Sequence, residues 1–201
     1  MSVIKNTRFI KSSTKLESCP KPLYPEYAFL GRSNVGKSSL LNMLVNNKKF
    51  ARISSTPGKT SLINHFLINN EWYLVDLPGY GYAKTSKVNR KNSLRMITDY
   101  LINRKNLICL FILLDCRHEP QSIDMEFMEW TAVNKIPFVI CFTKTDKLSI
   151  PKLNKSIDYY KKTLLKSWES LPDIFFTSSE KKTGREEILS FIIDTNKAVN
   201  I

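Results

Sequence analysis

The eight residues Gly31-Arg32-Ser33-Asn34-Val35-Gly36-Lys37-Ser38 constrain this chain more than any other stretch. They match G-x-x-x-x-G-K-[ST], a loop whose backbone N–H groups cradle phosphate oxygens. Two glycines supply backbone freedom, Lys37 a point charge for the β- and γ-phosphates, and Ser38 a hydroxyl for Mg²⁺. Such a loop functions only between a strand and a helix. Here the apolar run Tyr27-Ala28-Phe29-Leu30 precedes it, and Leu40, Leu41, Leu44 and Val45 follow at helical spacing. The positive end of that helix faces the same phosphates. The loop with Ser39 is therefore the first candidate nucleotide-binding segment.

The rest of the chain alternates strands and helices. Residues 27–30, 62–68, 71–76, 107–114, 137–142 and 174–177 read as six strands. Asn69-Asn70 is a tight hairpin turn, because Asn tolerates positive φ. The hairpin places one antiparallel strand in a mostly parallel sheet. Helices are expected over residues 38–45, 88–103 and 122–133. Two more carry the stripes Leu153, Ile157, Tyr160, Leu164 and Ile188, Phe191, Ile192. In the helix over 88–103, Leu94, Ile97 and Leu101 form the expected apolar side; in the next, Ile123, Phe127 and Trp130 do so. The class is α/β with helices on both faces. Residues 1–23, with a candidate edge strand at Thr7–Lys11 and Pro20, Pro22 and Pro25 at the exit, read as an extension packed on a domain spanning 24–201. Residues 46–60 lack apolar period and read as a mobile loop.

Ligands of open α/β sheets bind at the carboxyl ends of the strands. Four further stations lie there or just before a strand. Asp76-Leu77-Pro78-Gly79 ends one strand: Asp76 can hold Mg²⁺ through water, and the Gly79 N–H can approach a γ-phosphate. Thr143-Lys144-Thr145-Asp146 ends another. Asp146 can accept two hydrogen bonds from guanine N1–H and N2, a donor pair that adenine lacks; each is worth roughly 1.5–3 kcal/mol. Lys144 is expected along the base. Thr177-Ser178-Ser179 suits a loop whose backbone N–H meets guanine O6. The segment Gly58-Lys59-Thr60-Ser61-Leu62 enters a strand, and Thr60 is favoured to reach Mg²⁺ and the γ-phosphate, with Thr56 the alternative. Lys37, Thr60 and Gly79 are the candidate catalytic groups; Ser38, Thr60 and Asp76 are the candidate metal ligands.

Lys and Arg total 31 against 18 Asp and Glu, a net charge of +13 that favours a polyanionic partner. Lys87, Arg90, Lys91 and Arg95 share one side of the helix after Asp76–Gly79. Cys19, Cys109, Cys116 and Cys141 form no C-x-x-C pair and read as thiols of a reducing compartment. His65 and His118 have no metal-ligand spacing. No run is long enough to span a membrane, and the N-terminus lacks a secretory apolar segment, so a cytoplasmic protein is expected.

The order of these motifs is similar to that of translation-factor-class GTPases. The run S-T-P-G-K-T-x-x-I-N-x-F, then D-L-P-G-Y-G-Y-A, and Asp115-Cys116-Arg117-His118 with Asp124 and Trp130, resemble the EngB (YihA/YsxC) family in particular. The resemblance covers residues 5–195. It implies a single domain of P-loop GTPase fold that binds GTP or GDP with Mg²⁺; a monomer is expected. It also implies a role in assembling the large ribosomal subunit, and in normal cell division and septation. Ser178-Ser179 departs from the commoner Ser-Ala but keeps the backbone donor. Tyr80 stands where many regulatory GTPases carry a water-orienting Gln, which predicts slow hydrolysis. Asn34 resembles the loop asparagine of potassium-activated GTPases, which makes K⁺ a candidate cofactor. An RNA-binding scaffold with a structural nucleotide is the rival reading. A GTPase at an anionic membrane is a third, without an anchor or lipidation signal to support it.

Overall fold

The computed structural model describes residues 4–48, 50, 62–80 and 87–199, with Lys87 described for its backbone only. The strands are β1 (Thr7–Ser13), β2 (Glu26–Gly31), β3 (Ile63–Ile68), β4 (Trp72–Asp76), β5 (Leu107–Asp115), β6 (Phe138–Thr143) and β7 (Ile174–Phe176). They form one sheet in the order β1-β3-β4-β2-β5-β6-β7. Among the described residues the sheet thus has seven strands, not the six expected. The candidate edge strand joins it, pairing antiparallel with β3 from Thr7↔Ile68 to Ser13↔Ile63 across an irregularity between Phe9 and Lys11. A half-exposed edge strand buries few side chains, which is why its apolar pattern is faint in sequence. Only β3 runs against the others. It turns back through Asn69 (φ 52°) and Asn70 (φ 60°), the left-handed pair that a two-residue hairpin needs.

β5 is buried on both faces, which explains its unbroken apolar run. The helices are α1 (Lys37–Leu44), α2 (Lys87–Asn103), α3 (Ser122–Val133), α4 (Ile150–Leu164) and α5 (Arg185–Ala198). One core layer packs Ile97 and Tyr100 of α2, Met128 of α3 and Ile157 of α4 on the sheet; the other packs Leu40 and Leu41 of α1 with Ile188 and Ile192 of α5. Helices therefore cover both faces. Right-handed crossovers place α2, α3 and α4 side by side in that order on one face.

The expected apolar sides need two corrections. Leu94 is 46% exposed and Ile123 40% exposed. Among the described side chains of α2, none from Val88 to Met96 is buried, and burial begins at Ile97. In α3 the buried stripe is Asp124, Phe127, Met128 and Thr131, one position round from the expected one. A carboxylate on that stripe hides its true phase from a reading based on apolar residues.

At the amino ends of the strands lies a buried charge cluster. Glu26 opens β2 without solvent contact and accepts hydrogen bonds from Tyr100 Oη (2.6 Å) and from Arg104 Nε (2.8 Å) and Nη2 (2.5 Å). His65 Nε2 is 3.3 Å from Glu26 Oε1. Burial raises the carboxyl, but Arg104 and His65 outweigh it and hold Glu26 down at about 2. This cluster ties β2 and β3 to the end of α2. Cys109, Cys116 and Cys141 are buried free thiols, pushed up to about 12, 11 and 12 by burial.

Candidate nucleotide site

The phosphate loop leaves β2 at Gly31 and enters α1 at Lys37. Its two glycines meet different demands. Gly36 has φ 104°, a conformation that L side chains rarely adopt. At Gly31 the constraint is space, since a Cβ would lie 2.8 Å from the Leu113 carbonyl oxygen of β5. Asn34 is left-handed as well, at φ 64°, and its side chain is exposed. Ser33 is half-buried in the loop, while Ser38 and Ser39 stand half-buried in the first turn of α1. Val35 is buried and anchors the loop to the core beside Leu113.

Asp76 ends β4 beside this loop, and Lys37 Nζ makes an ion pair with Asp76 Oδ1. Asn64 Nδ2 contacts the other Asp76 oxygen at 3.4 Å. The chain continues through buried Leu77, whose N–H donates to the Phe29 carbonyl (3.1 Å), then half-buried Pro78 and Gly79. A Cβ on Gly79 would stand 3.1 Å from the Gly31 carbonyl oxygen, so glycine lets the two loops close. Tyr80 then hydrogen-bonds the phosphate loop in both directions. Its N–H donates to the Gly31 carbonyl (3.2 Å) and its carbonyl accepts from Ser33 N–H (3.3 Å). The Tyr80 phenol turns inward, stacks on Phe127 (5.0 Å) and donates to Asp124 Oδ1 (2.8 Å). Arg32 Nη1 lies 3.8 Å from Asp124 Oδ2. Burial raises the Asp124 carboxyl, and the Tyr80 donor and Arg32 only partly offset it. Burial and the Asp124 charge push the Tyr80 phenol well up, so it stays a donor.

The base-side stations are joined to the phosphate loop and to each other. Thr143 Oγ1 donates to the Val35 carbonyl (2.6 Å) and Lys144 Nζ to the Asn34 carbonyl (2.6 Å). Lys144 adopts φ 60° and is also 2.9 Å from Asp115 Oδ2 at the end of β5. Arg117 grips both Asp115 oxygens, at 2.9 and 2.7 Å. Burial raises Asp115, but Arg117 and Lys144 prevail and bring it down to about 2. Thr145 donates to the Thr177 carbonyl from its N–H (3.2 Å) and its hydroxyl (3.0 Å). Ser178 Oγ donates to Asp146 Oδ1 (2.6 Å), while Lys147 is 3.1 Å from Oδ2. Burial raises Asp146, but Ser178 and Lys147 win and keep it low, hence ionised near neutrality. Ser179 follows, half-buried. Gly184 (φ 80°) opens α5 where a Cβ would collide with the Phe176 carbonyl.

Of the residues singled out in the sequence, Gly31–Ser39, Asp76–Gly79, Thr143–Asp146 and Thr177–Ser179 lie at the carboxyl ends of β2, β4, β6 and β7. Leu62, half-buried, precedes β3. Gly58, Lys59, Thr60, Ser61 and the alternative Thr56 lie outside the described residues, as does most of the loop over 46–60. Among the described residues, no group of three His, Cys, Asp or Glu side chains could hold a metal. Of the three residues expected to hold the metal, the described ones, Ser38 and Asp76, offer one hydroxyl and one carboxylate beside the loop. Such a sparse set suits Mg²⁺, which takes its remaining positions from water and phosphate. Sequence reasoning did not assign Asp124, Asp115 or Arg117 a contact. Asp115 had a signal, a carboxylate closing the apolar run of β5; Asp124 entered, like Asp115 and Arg117, only as part of the family-like motif, with no role attached.

A phosphate loop, D-x-P-G and T-K-x-D at the carboxyl ends of β2, β4 and β6 define a P-loop GTPase. A family model described as a 50S ribosome-binding GTPase matches residues 26–144. A probable GTP-binding protein EngB of Porphyromonas gingivalis is 55% identical over 194 residues, 96% of each chain. One from Phocaeicola vulgatus is 56% identical over 196 residues, 98% of each. The chain belongs to the EngB family of GTP-binding proteins, and its reaction is GTP hydrolysis. The crystal structure of a probable GTP-binding protein engB shares the fold, with TM-score 0.69 at 22% identity over 86% of this chain and 99% of that one. Era in complex with MgGDPNP and 16S ribosomal RNA nucleotides does so at TM-score 0.65 and 20% identity, over 86% of this chain and 56% of that one. No helix among the described residues is long and apolar enough to cross a membrane.

Proposed function

We propose that this GTPase is a slow switch in assembly of the large ribosomal subunit, working as a cytoplasmic monomer. Its effect on cell division and septation is part of the same proposal, on family resemblance. The observation that carries the reading is the pair of backbone hydrogen bonds between Tyr80 and the phosphate loop. They couple the segment leading into α2 to the loop that would feel the γ-phosphate. α2 begins seven residues later and exposes Arg90, Lys91 and Arg95. These, with Lys87 by its spacing in the sequence, are the basic residues expected to meet ribosomal RNA.

In this reading Gly31–Ser39 cradle the phosphates, and Lys37 leaves Asp76 for the β- and γ-oxygens. Ser38, Thr60 and Asp76 would hold Mg²⁺, which would supply positive charge against the phosphate oxygens. Gly58–Leu62 close over the γ-phosphate, and the Gly79 N–H stabilises charge that develops there. Asp146 selects guanine; Lys144 and Thr143 fix the base loop to the phosphate loop, and Thr145 and Thr177–Ser179 complete it. Release of phosphate frees residues 51–60 and 77–90. Because the Tyr80 hydroxyl is engaged by Asp124, it does not orient water, in line with slow hydrolysis. K⁺ on Asn34 is the proposed substitute for a partner's arginine. Co-sedimentation with large ribosomal subunits under GTP, GDP and no nucleotide tests the reading. Association that is strongest with GTP and weakened by Ala at Lys87, Arg90, Lys91 and Arg95 is expected. Equal association in all three states overturns the switch.

A further inference from the structure

We propose that the outer face of α4 is a second polyanion surface, shaped for single-stranded RNA. The proposal rests on the ribosome-directed reading above but concerns a different helix. α4 buries Ile157, Tyr160 and Leu164, with Leu153 partly buried beside them. Opposite that stripe stand Lys152, Lys155, Tyr159 and Lys162, with Lys166 in the turn that ends the helix. Their spacing of 3, 4, 3 and 4 keeps all five on one side. At 1.5 Å per residue the stripe runs about 21 Å.

All five are exposed, and none of the four lysines has an ion-pair partner among the described residues. The contrast with the neighbouring helices is instructive. On α5, Arg185 and Lys197 are paired with Glu186 and Asp194. On α3, between α2 and α4, Glu126 and Glu129 are exposed. The α4 stripe is therefore separated from the exposed Arg90, Lys91 and Arg95 of α2 by acidic surface. Its engagement should not depend on the nucleotide.

The occupant follows from the side chains. Four ammonium groups in line, flanked by the single exposed carboxylate of the helix, Asp158, with which none of them forms an ion pair, favour a phosphate backbone. Tyr159, 49% exposed in the middle of the line, offers a ring face, and stacking on it needs an unpaired base. A membrane is the poorer fit. An interfacial helix needs its apolar face outward, whereas α4 turns that face to the sheet and lysine to solvent.

The test uses the full chain, a labelled 12-nucleotide single-stranded RNA, its duplex form, and vesicles of phosphatidylserine and phosphatidylcholine. Variants are K152Q/K155Q/K162Q/K166Q, Tyr159→Ala, and Arg90→Gln with Lys91→Gln and Arg95→Gln; retained GTP binding controls for folding. In the fourfold variant the log–log salt slope for single-stranded RNA should flatten by about 3, since each lost contact removes roughly 0.7. Tyr159→Ala should weaken single-stranded binding about tenfold, spare the duplex and leave the salt slope unchanged. Both effects should be the same with GTP and GDP. An unchanged slope in the fourfold variant overturns the α4 surface, and so does loss confined to vesicles. Equal loss of single-stranded and duplex RNA on removing Tyr159 overturns the stacking role. If only the α2 variant loses affinity, α4 fails while the switch reading stands. If α4 variants lose RNA but the parent ignores ribosomal subunits, the reverse holds.

Discussion

Replacing Tyr80 by Phe separates the two roles a residue after D-L-P-G could have. The substitution keeps the ring that stacks on Phe127 and removes only the hydroxyl that donates to Asp124 at 2.8 Å. Asp124 is 4% exposed, so water does not easily replace that donor. A hydrogen bond to an ionised group contributes about 1.5–3 kcal/mol. Arg32, still 3.8 Å away, keeps the carboxylate from being wholly unpaired, which argues for about 2 kcal/mol. In a domain of this length that lowers Tm by about 4–8 °C. The pH dependence has a definite sign. Burial sets the folded-state value of Asp124 above its unfolded value. The carboxyl therefore favours the fold when protonated, and that contribution is lost as pH rises through the folded value. A protonated Asp124 needs the Tyr80 donor less. The Tm deficit of Tyr80→Phe should be full at pH 7.5 and shrink on acidification towards the folded value. Thermal unfolding across pH at fixed nucleotide, with single-turnover hydrolysis alongside, measures both. Hydrolysis should stay within about threefold of the parent, because the hydroxyl is not at the chemistry. A tenfold fall in rate without a Tm change would refute the anchoring role and return Tyr80 to catalysis.

Asp146→Asn should weaken GTP and favour xanthine nucleotides, since an amide can donate to an oxo group; full GTP preference in competition binding would remove Asp146 as the base selector. Replacing Na⁺ by K⁺ at constant ionic strength should speed hydrolysis in the parent and not in Asn34→Ala; equal rates in both salts leave the ribosome as the activator. Arg104→Met strands the buried Glu26 charge and should cost about 3–5 kcal/mol at neutral pH. In the parent, Glu26 has a folded value of about 2. Its stabilisation is present above the unfolded value near 4.5 and is lost as pH falls towards 2. The variant should reverse this and gain stability between pH 7 and 5, read as urea midpoints; a parallel fall in both proteins would count against the cluster.

The local grammar of the chain was enough to set its class. Gly-rich loop, strand-end Asp76 and Asp146, and alternating strand and helix periods are short-range patterns imposed by backbone sterics, phosphate geometry and 3.6- and 2-residue repeats. They also located the hairpin at Asn69-Asn70, because positive φ is a property of single residues. What sequence could not decide was which distant groups meet. Lys144 reaches the Asn34 carbonyl across 110 residues, and Arg104 reaches Glu26 across 78. Nothing local distinguishes these cations from the unpaired lysines of α4. The phase of α3 was likewise decided by packing: the Tyr80 phenol needed a buried acceptor, so Asp124 turned inward and Ile123 outward. Edge strand β1 became the seventh strand for a related reason. Its backbone hydrogen bonds to β3 stabilise it more than any apolar face of its own, and backbone pairing leaves no signature in side-chain order.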